Sequence, residues 1–424
     1  MALTLVVSGE ELGYLEPCGC ADGQLGGFPR RDSLLKQLEA KGKNLLLVAN
    51  GNLIDNPGRQ SELKAEIGFT ALKAMGYAAF NVGEKDLLLG VERLKSLEEM
   101  SGIPFLSANL FQVEDSRSKT GGEKPVFQPF VLHTIECQDR RIRVAIVGIL
   151  SGQFEVQVRN ASEDLRLRDP GVVLKSLLPQ LEHDSDLIIL LAHADLAESK
   201  ALASAFPQID VVVSGHERDE PLASPIRMGK TVLLNTGTKG KSLGQLDIQW
   251  HADEKIAGYD FQVLPLSERL PDSPRMVDLL ALYQQMLVAE NLSEDLERVP
   301  PRAGGMYVES ASCKGCHAEA YAIWKKSKHA HAFKTLVEKG HAADPECLRC
   351  HTIGFGFQTG FLNMTQTPAL TDVGCENCHD VGGNHVKNPQ KGYGQVTKAD
   401  CLTCHTAENS PQFDYEVYLP KIRH

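Results

Sequence analysis

Four copies of one five-residue pattern, Cys-x-x-Cys-His, lie in the last third of this 424-residue chain. They are Cys313-Lys-Gly-Cys316-His317, Cys347-Leu-Arg-Cys350-His351, Cys375-Glu-Asn-Cys378-His379 and Cys401-Leu-Thr-Cys404-His405. Composition alone would give on the order of 0.01 copies. Two thiols at this spacing add across the two vinyl groups of one haem, and the following imidazole is then placed under the iron. Zinc ribbons also use paired cysteines, but the gaps of 30, 24 and 22 residues between pairs exceed ribbon spacing, and a ribbon needs no histidine after each second cysteine. Thioredoxin-like pairs need a βαβ setting that this region lacks. The pattern predicts four covalently bound c-type haems, each held by two of these cysteines, with His317, His351, His379 and His405 as proximal iron ligands. The segment from Ser312 to His405 has few long apolar runs and is rich in Gly, Lys and His. Porphyrins are expected to supply the apolar surface that the chain does not.

Five further histidines follow Pro301: His329, His331, His341, His385 and His424. Four irons need at most four distal ligands, and Met306 and Met364 are the other strong-field candidates. The run Cys313…His317, Tyr321, Trp324, Ser327, His329-Ala330, Ala332, Leu336 resembles the opening of the cytochrome c-554 family. So do Cys347-x-x-Cys350-His351 with Gly354, Val373-Gly374-Cys375-Glu376-x-x-Cys378-His379 with His385, and the closing Pro411-x-Phe413-Asp414-Tyr415…Ile422-x-His424. The likeness runs from about Tyr307 to His424. It implies a mostly helical, haem-packed cluster that passes electrons. It also implies His329, His385 and His424 as distal ligands, with His331 as a further candidate, and a five-coordinate haem at Cys347/Cys350. The chain departs from the family after the third motif, where Asp380-Val381-Gly382-Gly383 replaces a shared Gly-Pro.

The N-terminal two-thirds reads differently. Apolar runs at Leu3–Val7, Leu45–Ala49, Val144–Ile149, Leu187–Leu191, Val211–Val213 and Val232–Leu234 predict buried strands. Helix-period segments at Arg31–Ala40, Ser61–Met75, Val91–Glu99, Val172–Glu182 and Leu196–Ala205 lie between several of them. Such alternation predicts a layered α/β domain. Asp247–Leu266 reads as a closing antiparallel pair, Pro274–Ala289 as a helix and Val299–Gly305 as a linker.

The loops after these strands resemble the calcineurin-like metallophosphatases, as found in secreted 5′-nucleotidases. The usual Asp-x-His-Gly falls on Glu10-Glu11-Leu12-Gly13, and Gly-Asp-x-x-Asp on Gly51-Asn52-Leu53-Ile54-Asp55. Gly-Asn-His-Glu falls on Gly83-Glu84-Lys85-Asp86, a lone ligand histidine on His193, and Gly-His-x-His on Gly215-His216-Glu217-Arg218. The resemblance implies a metallophosphatase-like β-sandwich with flanking helices. The frame survives and the ligands mostly do not. Leucine and arginine cannot coordinate a cation, and a neutral asparagine bridges two ions poorly. The expectation is a fold without its usual hydrolytic activity. Cys18 and Cys20, just after the first of these loops, read either as a reduced or disulfide-linked turn or, joined by His193 and His216, as a rebuilt soft metal site for one further ion. Cys137 is expected in a strand.

Formal net charge is −11, which argues against nucleic-acid binding. From Pro301 onward Lys+Arg and Asp+Glu number 13 and 12, so the acidity resides in the N-terminal part. No run is long and apolar enough to span a bilayer, and residues 1–7 carry no secretory signal. Covalent haem nonetheless predicts a periplasmic or cell-surface protein, exported by a signal outside this numbering. The expected domains are 1–270, metallophosphatase-like and inactive; 271–305, helix and linker; and 306–424, the tetrahaem cytochrome. The leading functional expectation is electron transfer between a redox donor and an acceptor protein. Three alternatives stay open: a redox enzyme with one open haem acting on a nitrogen or sulfur compound, a residual phosphoesterase, and a subunit of a haem-lined homo-oligomeric assembly.

Overall fold

The computed structural model describes residues 2–17, 23–113, 122–137, 140–216, 220–251, 255–294, 296–301 and 305–424. The chain forms two compact units, one of residues 1–17 and 25–279, the other of residues 18–24 and 280–424.

The first unit is built on two six-stranded sheets. In one, the parallel strands Ala2–Ser8, Leu45–Asn50, Tyr77–Asn81 and Phe105–Leu106 are flanked by the antiparallel pair Ser242–His251 and Lys255–Pro265. In the other, Arg140–Leu150, Leu187–His193, Val211–Ser214 and Thr231–Asn235 run parallel, with Phe130–Cys137 and Ile226–Met228 antiparallel at the edges. Every apolar run singled out in the sequence is one of these strands, and the closing pair is present. Successive side chains of a strand face opposite ways. Leu3, Leu5 and Val7 therefore join Leu46 and Val48 in one buried layer that also takes Val144, Ile146, Leu187, Ile189, Leu191, Val211 and Val213 from the second sheet. The other face of that second sheet, Val147, Ile149, Ile188, Leu190 and Val212, packs on Leu174, Leu178 and Leu181 of the helix Pro170–Asp184 and Leu202 of the helix Leu196–Ala205. Both helices start cleanly. Asp169 accepts the Val172 N–H at 2.9 Å, and Asp195 accepts the Glu198 N–H at 2.7 Å. The layered metallophosphatase-like α/β sandwich is thus the observed fold.

The alternation did not reveal the strand Tyr77–Asn81. A five-residue run carrying two alanines gives a weak strand signal, yet this strand is central and ends at a functional loop. Cys137 ends the strand Phe130–Cys137 as expected, but its side chain is outside the described residues, as are Cys18 and Cys20.

The second unit is made of short helices. Its apolar core is small: Phe333, Leu336, Leu348, Ile353, Phe355, Phe361 and Leu370, with Tyr307 and Cys347 packed against it. This corrects the expectation that the chain supplies almost no core of its own, and the core lies at the second cysteine motif. The linker is also partly tied down. Val299 bridges to Phe357, and the Arg298 guanidinium donates to the Phe361 carbonyl at 2.9 Å. Among the described residues no helix is long and apolar enough to cross a membrane.

Candidate functional site

In the second unit the four motifs meet in two pairs. Cys313 neighbours Cys375, and Cys404 neighbours Cys350, so the first motif adjoins the third and the second adjoins the fourth. The histidines meet in a different pattern. The His317 and His385 ring centroids are 6.3 Å apart with planes 26° from parallel. His405 and His329 are 6.2 Å apart at 47°, and His379 and His424 are 5.5 Å apart at 53°. A metal–imidazole bond is about 2 Å, so the two wider spacings fit one metal ion between each pair of rings, and the third is slightly tighter. His351 makes none of these ring contacts, nor does the exposed His331.

Local structure explains the placing. The Trp324 indole donates to the Val373 carbonyl at 2.8 Å, and the Val373 N–H donates to the His329 carbonyl at 3.0 Å. These bonds lace the segment after the first motif to the approach of the third. His351 Nδ1–H donates to the Ala332 carbonyl at 2.8 Å, and His379 Nδ1–H to the Gly394 carbonyl at 2.7 Å. Each bond fixes the tautomer that leaves Nε2 to bind a metal. Tyr393 stacks on His385 and Phe413 on His405, each at 4.4 Å. Asp380, where the family has its Gly-Pro, holds φ 66° and ψ 179°, a backbone region populated almost only by glycine. The Glu376 carboxylate receives the Val308 and Gly382 N–H groups at 2.8 and 2.7 Å, and burial pushes its pKa up to about 7. The thiol spacing, the paired imidazoles and the fixed tautomers all suit covalently held haem.

In the first unit, the resemblance motifs converge where the parallel strands end, the usual place for a site in such sheets. Glu10, Leu12 and Asn52 all hold positive φ (52°, 51° and 35°), a strained backbone for non-glycine residues that clusters at functional loops. His193 is fully buried at its strand end. Its Nε2 meets Glu84 Oε2 at 2.5 Å, and its Nδ1 lies 3.6 Å from Glu10 Oε1. His216 Nδ1 lies 3.9 Å from Glu10 Oε2, and Phe154 packs against both imidazoles. Asn52 Nδ2 donates to Glu10 at 3.0 Å and to Glu84 at 3.2 Å, while its Oδ1 accepts the Lys85 N–H at 2.9 Å. Lys85 pairs with Asp55. Burial raises Glu10 to about 8, and the nearby Glu84 and Asp86 charges add to this. Burial works against ionised Glu84 as well, but the His193 hydrogen bond and charge outweigh it and hold Glu84 at about 2. Conversely, burial disfavours charged His193, and the Glu84 bond with the two glutamate charges overcomes it, to about 9.

Close packing holds this arrangement. A Cβ on Gly51 would stand 2.3 Å from His193 Nδ1, and one on Gly83 2.3 Å from Asn52 Oδ1. Beneath the loops, Asn81 Nδ2 donates to Asn50 Oδ1 at 2.8 Å and to the Leu191 carbonyl at 3.0 Å. Asn50 Nδ2 donates in turn to the Val213 carbonyl at 2.8 Å, which ties the two sheets together. The sequence reading gathered His193 and His216, and the structure brings them together. It paired them with Cys18 and Cys20, which are outside the described residues, as is Arg218. It missed Glu10 and Glu84 as their carboxylate neighbours, and Asn50 and Asn81. An asparagine closing an otherwise apolar strand was the available signal for the last two.

Residues 312–380 match the model of the family described as cytochrome c554 and c-prime. Cytochrome c-554 of Nitrosomonas europaea is 33% identical over 150 residues, covering 26% of this chain and 64% of that protein. A 2′,3′-cyclic-nucleotide 2′-phosphodiesterase/3′-nucleotidase of Haemophilus influenzae is 27% identical over 214 residues, covering 45% of this chain and 32% of that one. The 5′-nucleotidase precursor of Thermus thermophilus superposes with a TM-score of 0.57 at 19% identity, covering 71% of this chain and 61% of that chain. The chain thus spans about a third of its nucleotidase relative and about two-thirds of its cytochrome relative. The family match implies covalently bound haem, and the structural likeness shows a phosphoesterase fold. The chain therefore carries a unit with a metallophosphatase-like fold, followed by a segment, residues 312–380, that matches the cytochrome c554 and c-prime family model.

Proposed function

We propose that this protein is a four-haem c-type cytochrome that carries electrons between redox proteins outside the cytoplasm. One observation carries the reading: three of the four motif histidines, His317, His379 and His405, face a second histidine ring at 5.5–6.3 Å, and His351 does not. His385, His424 and His329 would then help hold the first, third and fourth haems, and His351 would hold the second without a second histidine. Bound haem supplies one-electron chemistry, with the potential set by axial ligand and surroundings. Backbone carbonyls hold the Nδ1–H of His351 and of His379, which would leave Nε2 of each free to bind iron. Beside the second motif, Leu348, Ile353, Phe355 and Phe361 pack into the small apolar core of this unit.

The nucleotidase relatives suggest a second reading, metal-dependent phosphoester hydrolysis. The side chains oppose it. Two-metal hydrolysis needs a bridging carboxylate and a full set of ligands, and this chain has Asn52 at the bridging position, Leu12 in place of the first histidine and Lys85, paired with Asp55, in place of another.

The reading is tested by pyridine haemochrome assay and electron paramagnetic resonance on the oxidised protein. Four haems per chain, about one quarter of them high-spin, is the expected result. A purely low-spin spectrum, or fewer than four haems, would refute it.

A further inference from the structure

Tyr393 and Gly394, adjacent in the chain, each hold one of the paired histidines. We propose that these two are positioning residues, which orient His385 and His379 together and so set the reduction potentials of the first and third haems jointly. On the four-haem reading, on which this assignment rests, His385 helps hold the first haem and His379 the third.

The Tyr393 ring lies 4.4 Å from that of His385, with planes 12° apart. An offset stack at this separation is favourable, and it resists rotation of the imidazole plane. The Tyr393 hydroxyl donates to the carbonyl of Val381, two residues past His379. The ring is thereby pinned to the segment that leaves the third motif. Gly394 completes the link. Its carbonyl accepts His379 Nδ1–H at 2.7 Å, a bond that raises the basicity of the nitrogen left for a metal. Gly394 holds φ 62°, and a Cβ there would stand 2.5 Å from the His379 carbonyl oxygen and 2.8 Å from His379 Cβ. Only glycine lets the turn come this close.

Because both contacts come from one turn, neither imidazole can be re-aimed without shifting the other's partner. Cys313 neighbours Cys375, which puts the first and third attachment points side by side. The axial ligands and the hydrogen bonds around them tune a haem's potential, so the turn acts on both members of this adjoining pair. His351 and His405 take their partners elsewhere, from Ala332 and Phe413, and the second and fourth haems are outside the turn's influence.

The test uses the full, haem-loaded chain, electron paramagnetic resonance of the oxidised protein and potentiometric titration followed optically. His385→Ala and His424→Ala mark the first and third haems by the low-spin signals they remove. Tyr393→Leu should shift both of those signals and leave the remaining low-spin signal in place. Tyr393→Phe keeps the stacked ring and should hold the first-haem signal at its original position. Gly394→Ala should raise the potential of the third haem, whose imidazole loses basicity. Tyr393 is only half-buried, so its variants decide the matter even where Gly394→Ala fails to mature. First- and third-haem signals that stay put in Tyr393→Leu, with or without a lowered urea midpoint, would overturn the proposal and leave the electron-transfer reading intact. Loss of no low-spin signal in His385→Ala and His424→Ala would overturn that reading, and the proposal with it.

Discussion

Glu11 and Arg31 show at the scale of single residues how little of a site can be read from a motif alone. Glu11 occupies the variable position of the first metallophosphatase motif, yet its carboxylate meets the Arg31 guanidinium at 2.8 Å with both side chains sealed from solvent. Arg31 also donates to Ser8 and Tyr77 at 3.2 Å. A buried pair is costly to break, because the surviving charge has no partner. Glu11→Gln keeps the shape and removes the charge, so it should destabilise the first unit by about 3–5 kcal/mol, read as a lowered urea midpoint. A change under roughly 1 kcal/mol, the scale of an exposed pair, would contradict this. The Cys-x-x-Cys-His motifs stand out in the sequence because haem attachment demands two thiols and an imidazole at fixed spacing. The network of Glu10, Glu84 and Asn52 was not, because its members sit in three loops and meet only when parallel strands bring their ends together.

At the scale of elements, periodicity served well where burial is continuous. The strands and helices flanking the sheet core fall where apolar runs and 3.6-residue spacing place them, and the helix Pro274–Ala289 has the bounds its pattern predicts. What anchors that helix is less visible. Asp32, in the helix Phe28–Ala40, binds Ser273 and Arg275, and Lys36 at 2.8 Å. Burial alone would raise the Asp32 pKa, but hydrogen bonds from Arg275, Lys36 and Ser273 prevail and lower it to about 2 from its usual 3.8. A depressed carboxyl pKa adds stability above the unfolded value, and that stability is lost as pH falls through the folded one. Urea titrations followed by circular dichroism should show stability falling between about pH 4 and 2, with a shallower fall in Asp32→Asn. Parallel curves for the two proteins would refute the assignment. The short sheet of Leu110–Val113, Glu123–Pro125 and Leu165–Leu167 went unforeseen, since strands of three or four residues carry too few alternations to register.

For the whole molecule, the histidine pairs make the clearest prediction. Replacing His385, His424 or His329 by alanine should each open one more iron and raise the high-spin fraction from about one quarter to about one half. His331→Ala should leave it unchanged, and an increase there would reassign the ligands. These pairs also cross the sequence. His317 faces His385, His329 faces His405, and His379 faces His424. Each ring thus waits for one that is synthesised well after it. On the proposed four-haem reading, a chain emerging from its N-terminus would take up an early haem before the stretch carrying the facing histidine arrives. Half-made molecules would then carry several open irons at once, and the clasp would close only near the end.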